Sequence, residues 1–120
     1  METVIASLIL VLSQLSIALE QPKPDIKTSI MQCESGGNPK AINYEDAKIT
    51  GYPSKGLYQF QPKTFLKYGI KYKVFPEGTT LKEAEKKIYD PAYNAAVAHG
   101  MIDEGLTSHW LNCFNSYKNS

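Results

Sequence analysis

A chain of 120 residues is long enough for one domain, and the part that follows its apolar start suffices for a single modest core. The formal net charge is only +1, and the basic residues form no clustered stripe. These features exclude a chain that binds nucleic acid mainly by neutralising phosphates, so we expect no nucleic-acid partner.

Residues 4–19 form an apolar run that is interrupted only by small or polar side chains. The run is short for a membrane span and has about the length of a signal-peptide core. Ser16 and Ala18 place small residues at −3 and −1 of a cleavage site, although no Lys or Arg precedes the run. We expect residues 1–19 to be a signal peptide or an uncleaved membrane anchor, with a buried helix as the third alternative. Either of the first two predicts an exported protein that is extracellular, periplasmic or membrane-anchored.

The polar, proline-bearing residues 20–24 are expected to be a linker, and residues 25–120 a single domain. Asp25 is placed to cap a helix, since Ile26, Ile30 and Cys33 recur at helical spacing after it. Gly36 and the residues that follow it, Gly-Asn-Pro, end that helix. Residues 40–54 have no hydrophobic period and are predicted to be loop, and residues 56–60 a turn with a short extended segment.

The second half of the chain is predicted to be helical. Pro62 begins a short helix that we expect to end at Gly69, followed by loop to residue 78. The Thr80–Glu83 capping box opens a helix through about residue 89. Asp90 and Pro91 start the longest helix, which runs to about residue 104, and a last short helix covers residues 108–114. The pattern therefore predicts a mostly α domain with a short irregular or strand segment after the first helix.

The two cysteines, Cys33 and Cys113, fit an exported chain. An even count in an oxidising compartment favours a disulfide, and two free buried thiols are the alternative. His99 and His109 have no ligand spacing with either cysteine and no nucleophile beside them, so we expect no metal and structural or solvent-exposed roles for both.

Glu34 is the residue on which a catalytic hypothesis depends. It lies where the first helix ends, next to the buried stripe, and the only nearby acids, Glu45 and Asp46, lie in a predicted open loop. Burial and the negative end of the helix dipole both disfavour a carboxylate there, which raises its pKa. A carboxyl group of this kind is suited to donate a proton near neutral pH.

The residues around Glu34 resemble a known family. The stretch from Glu34 to Asn43 (ESGGNPKAIN) and the stretch from Ser54 to Phe65 (SKGLYQFQPKTF), followed by Asp90-Pro91 and Asn94, resemble the soluble lytic transglycosylase domain. The resemblance covers roughly residues 26–104. It implies a lysozyme-like fold and cleavage of the β-1,4 bond between N-acetylmuramic acid and N-acetylglucosamine, with peptidoglycan strands as the partner, no cofactor and, as we expect, a monomer.

The resemblance also implies roles for individual residues. Glu34 becomes the sole catalytic acid/base, and the sugar's own C6 hydroxyl replaces the second carboxyl that most glycosidases need. The expected substrate-binding residues are Ser35, Gly56, Tyr58, Gln59, Asn94 and Trp110. Ser35 is expected to orient the acid or to make a local helix bond, and the helical position of Asn94 favours a structural role. Trp110 is a hypothesis, because the family's late tyrosine motif is missing and a Cys33–Cys113 bridge would bring this tryptophan near the acid.

Two alternatives to the transglycosylase remain at this point. One is a hydrolase similar to goose-type lysozyme, which needs Glu45 or Asp46 across the sugar from Glu34. The other is a non-catalytic glycan-binding module with a degraded site. A glutamate that faces a cleft together with Gln59 and an aromatic residue favours an enzyme over the binding module.

Overall fold

The computed structural model describes residues 22–120. The signal peptide or anchor predicted for residues 1–19, and the first part of the linker, lie outside the described residues. Within them, the structure is mostly helical with one small sheet. The helices are α1 (Ile26–Ser35), α2 (Ala47–Thr50), α3 (Pro62–Lys71), α4 (Leu81–Lys87), α5 (Pro91–Asp103) and α6 (Leu111–Lys118), with 3₁₀ helices at Tyr44–Asp46 and Thr107–Trp110.

Three of the predicted helix starts are confirmed by side-chain caps. The Asp25 carboxylate accepts a hydrogen bond from the Thr28 amide at 2.7 Å, which starts α1. Thr80 and Glu83 form both hydrogen bonds of the capping box at the start of α4. Asp90 caps α5, whose first residue is proline. These signals are local in sequence, and the structure follows them.

The segment predicted to be loop at residues 40–54 is more ordered than expected. Strand β1 (Ile42–Asn43) pairs antiparallel with β2 (Ser54–Lys55), and the residues between them form a 3₁₀ helix and α2. Two-residue strands and one-turn helices carry too little hydrophobic period to be recognised in a sequence. Pairing of β1 with β2 joins the two ends of this segment, which follows the end of α1.

The prediction that Gly69 ends its helix is wrong. Helix α3 continues to Lys71, and the Gly69 carbonyl accepts hydrogen bonds from the backbone amides of Val74 and Phe75 at 2.8 and 3.0 Å. The Phe75 ring packs directly over Gly69, where a Cβ atom would collide with it. The glycine is therefore used for close packing inside a helix rather than for stopping it.

One apolar core joins the two halves of the domain. Helix α1 packs against α6, and α3 packs against both α4 and α5. The largest fully buried hydrophobic side chains are Ile30, Phe60, Phe65, Ile88 and Val97, with Trp110 only 2% exposed. Phe60 contacts Phe65 and Trp110 through their rings, with centroids 5.4 and 5.7 Å apart. The core thereby fixes the end of α1 opposite the Thr107–Trp110 turn.

Candidate active site

A cleft of about 520 Å³ lies between the end of α1, the segment from β1 to β2 and the start of α6. This volume is within the usual range for ligand clefts, about 300–1,000 Å³. Its lining includes Glu34, Asp46 and Gln59 together with His109, Trp110 and Leu111. The structure thus brings together three residues predicted for the site, Glu34, Gln59 and Trp110.

Glu34 is held at the cleft by the way α1 ends. Gly36 takes a left-handed conformation with φ of 64°, and its amide donates to the Gln32 carbonyl. The Glu34 side chain is partly buried, and within residues 22–120 it makes no hydrogen bond or salt bridge. Burial, followed by the negative charge of Asp46, raises the pKa of Glu34 from 4.5 to about 7. At neutral pH roughly half of such groups carry a proton to donate.

A second acid shares the cleft with Glu34, because the fold brings Asp46 there from the segment that the sequence predicts to be an open loop. Asp46 is held by a chain of hydrogen bonds. Its carboxylate accepts from the Ser54 hydroxyl at 2.5 Å, and the Ser54 oxygen accepts from the Gln61 amide nitrogen at 2.9 Å. The Gln61 amide oxygen in turn accepts from the Thr50 hydroxyl at 2.9 Å. We call these four residues the Asp46 relay.

Gln59 lines the cleft in a conformation that fixes its amide. Its backbone φ is 54°, and its side chain is 8% exposed. The amide nitrogen donates to the Gly56 carbonyl at 2.8 Å and the Ala41 carbonyl at 3.1 Å. Because both partners are carbonyl oxygens, the amide orientation is determined, and the amide oxygen has no partner among the described residues.

Trp110 lines the cleft and also belongs to the core. Its indole nitrogen donates to the Tyr58 carbonyl at 2.7 Å. The His109 ring lies edge-on to it, with centroids 4.7 Å apart, and also lines the cleft. Burial lowers the pKa of His109, so its imidazole is largely neutral at pH 7. The sequence predicts only a structural or solvent-exposed role for His109, because no residue near it in the chain indicates a ligand site.

Tyr58 and Asn94, both named as candidate substrate-binding residues, do not line the cleft, and Asn94 has the structural contacts that its helical position favours. Tyr58 is 2% exposed, and its hydroxyl donates to the Lys27 carbonyl at 3.0 Å. Asn94 is fully buried, accepts from the Tyr58 amide at 2.9 Å and donates to the Ile88 carbonyl at 2.8 Å. Both side chains stabilise the fold, because their polar atoms already have protein partners.

Gly56 and Ser35 make local structural contacts, and for Ser35 these include the local helix bond that was one of its two expected roles. Gly56 has φ of 84°, and a Cβ atom there would collide with the Asn94 side chain and the Ile88 carbonyl. The Ser35 hydroxyl donates to the Met31 carbonyl and accepts from the Gly37 amide, both at 3.2 Å. Neither residue lines the cleft. They shape the turns that carry Glu34 and Gln59.

A disulfide joins Cys33 to Cys113, as the sequence favoured. Cys33 directly precedes Glu34, and Cys113 lies three residues after Trp110 in the first turn of α6. The bridge therefore links the end of α1 to the start of α6, both of which border the cleft, although its ends are 80 residues apart in the chain.

Two further properties concern only residues 22–120. No set of three or more His, Cys, Asp or Glu side chains in that part is arranged to hold a metal ion. No helix described there has the length and apolar character needed to cross a membrane.

Comparisons with known proteins agree with this architecture. The family model described as "Transglycosylase SLT domain" matches residues 18–119. A curated relative, "Uncharacterized protein YqbO" of Bacillus subtilis (strain 168), is 40% identical over 75 residues, which are 62% of this chain and 4% of that protein. The chain thus spans a small part of the length of that relative. No solved structure matches it significantly. With most of its residues matched by the family model, the chain belongs to the transglycosylase SLT domain family and has the mostly helical, lysozyme-like fold of that family.

Proposed function

We propose that this domain is a peptidoglycan lytic transglycosylase in which Glu34 is the sole catalytic acid/base. The observation that carries the proposal is the Glu34 carboxyl itself, partly buried at the wall of an open cleft with a pKa of about 7. A carboxyl group that is half protonated at neutral pH serves as acid in one step and as base in the next. Membership of the SLT domain family supports a glycan as the substrate.

The chemistry needs only one carboxyl. Glu34 donates its proton to the glycosidic oxygen while the bond from that oxygen to C1 breaks, and positive charge develops at C1. The resulting carboxylate then takes the proton of the C6 hydroxyl, whose oxygen forms the new bond to C1 and closes a 1,6-anhydro ring. Most glycosidases use a second carboxyl to recruit water or attack C1, and the internal nucleophile removes that need.

Gln59 and Trp110 are proposed to position the sugar. The Gln59 amide oxygen, which has no partner among the described residues, is an acceptor for a sugar hydroxyl or an acetamido N–H. Trp110 is almost fully buried, so it supports the wall rather than offering a wide stacking face. The Cys33–Cys113 bridge supports an exported location, since disulfides persist in oxidising compartments.

A hydrolase is the second candidate, because Asp46 shares the cleft with Glu34. An inverting hydrolase places its base across the sugar from its acid, about 6.5–9.5 Å away, to hold a water molecule. The two mechanisms differ in their products. Transglycosylation leaves anhydro ends, and hydrolysis leaves reducing ends.

Digestion of purified peptidoglycan, with mass analysis of the released fragments, tests both candidates. We expect the unaltered protein to release anhydro-ended fragments and Glu34→Gln to release at least about 100-fold less, the lower range for loss of a general acid. Glu45→Gln is the matched control, because Glu45 is exposed, paired with Lys48 at 2.9 Å and not part of the cleft. Reducing ends would favour the hydrolase, and unchanged release by Glu34→Gln would remove Glu34 from the mechanism.

A further inference from the structure

The Asp46 relay has no part in the proposed reaction. A transglycosylase with an internal nucleophile needs one carboxyl, yet the fold holds a second one in the same cleft. Ser54, which anchors Asp46, is only 4% exposed, so the relay is a built feature rather than a solvated surface contact. One Asp46 oxygen is bound to Ser54, and within the described residues the other makes no hydrogen bond. This oxygen is available to a ligand.

In the described part of the chain, no lysine or arginine side chain lines the cleft to balance its two acids. The side chains that line it include Glu34 and Asp46 but no Lys or Arg, and within residues 22–120 neither acid lies in a salt bridge. His109, which also lines the cleft, has its pKa lowered by burial and is largely neutral at pH 7. The whole chain is slightly basic, so the negative charge is local to this cleft.

Gln59 gives a second, independent indication of what the cleft binds. Its side chain is more than nine-tenths buried, and its amide nitrogen is committed to two backbone carbonyls. The amide oxygen that remains is an acceptor without a partner in the described part of the chain. The cleft therefore offers carboxylate and amide oxygens to a ligand and calls for hydrogen-bond donors, preferably with positive charge.

We propose that the cleft selects glycans in which an amino sugar carries a free, protonated amine, and that Asp46 recognises this ammonium group. An ammonium offers three donors and a charge, whereas the acetamido group of an acetylated sugar offers one N–H. The inference rests on the proposed function for its substrate, a β-1,4-linked amino-sugar chain. It adds the class of sugar and the residue that determines specificity.

The test compares two tetrasaccharides by titration calorimetry at pH 6.5. One is the β-1,4 tetramer of N-acetylglucosamine, and the other is the same tetramer with every acetyl group removed. The protein carries Glu34→Gln, which prevents cleavage and leaves Asp46 as the acid of the cleft lining. We expect the deacetylated tetramer to bind about fivefold tighter, the effect of one partly exposed charge pair. Adding Asp46→Asn should reduce this ratio to about one, and adding Glu45→Gln should leave it unchanged.

Three results would overturn the inference: equal or tighter binding of the acetylated tetramer, no measurable binding of the deacetylated one, or a preference that survives Asp46→Asn. The comparison of the two tetramers uses a protein with Asp46 intact, so it tests the inference even if Asp46→Asn fails to fold. The cleavage assay tests the proposed function independently of the binding ratio. If the unaltered protein cleaves peptidoglycan and the tetramers bind equally, the transglycosylase stands and the specificity falls. If neither the native nor the deacetylated glycan is cleaved, the proposed function falls whatever the binding ratio.

Discussion

Burial of Glu34 should make the domain less stable as pH rises, and Glu34→Gln should remove that loss. The pKa of Glu34 is 4.5 in the unfolded reference and about 7 in the folded protein. Below pH 4.5 both states hold the proton, so the group has no effect on stability. Between these values the unfolded state releases its proton first, and the free energy of unfolding falls. Above pH 7 the loss is complete and constant.

The magnitude follows from the size of the shift. At 1.36 kcal/mol per pKa unit, the change corresponds to at most about 3 kcal/mol. Because the carboxyl group also contacts solvent, screening reduces this to about 1–2 kcal/mol. Glutamine resembles the protonated acid at every pH. Glu34→Gln should therefore match the unaltered protein near pH 4 and exceed its unfolding free energy by about 1–2 kcal/mol at pH 8.

Urea unfolding followed by tryptophan fluorescence measures this difference. Trp110 is the single tryptophan of the chain and is 2% exposed, so its emission reports loss of the core. Other carboxyl groups titrate in both proteins and cancel when the two are compared at each pH. Glu45→Gln, which removes one charge of an exposed ion pair, should show no gain in unfolding free energy at pH 8. A difference in unfolding free energy between Glu34→Gln and the unaltered protein that stays constant from pH 4 to pH 8 would refute the reasoning.

Three further predictions concern activity and stability. Cleavage of peptidoglycan should fall as pH rises through about 7, because the acid form of Glu34 is lost, and a pH–rate profile that is flat to pH 9 would contradict this. Cys113→Ser, which opens a bridge spanning 80 residues, should lower the unfolding free energy by about 4 kcal/mol in urea. Gly56→Ala should cost about 3 kcal/mol through its positive φ and the collision with Asn94, whereas Gly51→Ala, with φ of 86° and open space around it, should cost only about 1 kcal/mol. Equal melting temperatures for the two glycine variants would show that the collision is relieved without cost.

The helical frame was predictable because its signals are local. Asp25, the Thr80–Glu83 box and Asp90 each satisfy amides of the helix that they begin, and each is recognisable within four residues of sequence. Gly69 shows where this fails. A glycine before a loop indicates a helix end, but here the ring of Phe75, six residues on, requires the missing side chain.

The candidate site was predictable only in part, because motifs identify residues and not the direction in which they face. Glu34 and Gln59 do line the cleft, whereas Tyr58, one position before Gln59, points into the core. The positive φ of Gln59 lies at this change of direction and has no sequence signal in a non-glycine residue. Asp46 lies at the cleft because the segment from β1 to β2 is folded, whereas the sequence predicts only a loop there.

The position of the disulfide connects the stability of this small domain to its chemistry. A partly buried carboxyl costs about 1–2 kcal/mol once it ionises, which is a large share of the stability of a domain with one modest core. The bridge begins at the residue next to that carboxyl and contributes about 4 kcal/mol, more than the burial removes. On the loop-entropy account the bridge acts by constraining the unfolded chain, so it offsets the cost of ionising Glu34 without a contact at the cleft. A reduced chain would keep its helices' local signals but lose the covalent link between the end of α1 and the first turn of α6, which makes the oxidised fold the form suited to the proposed reaction.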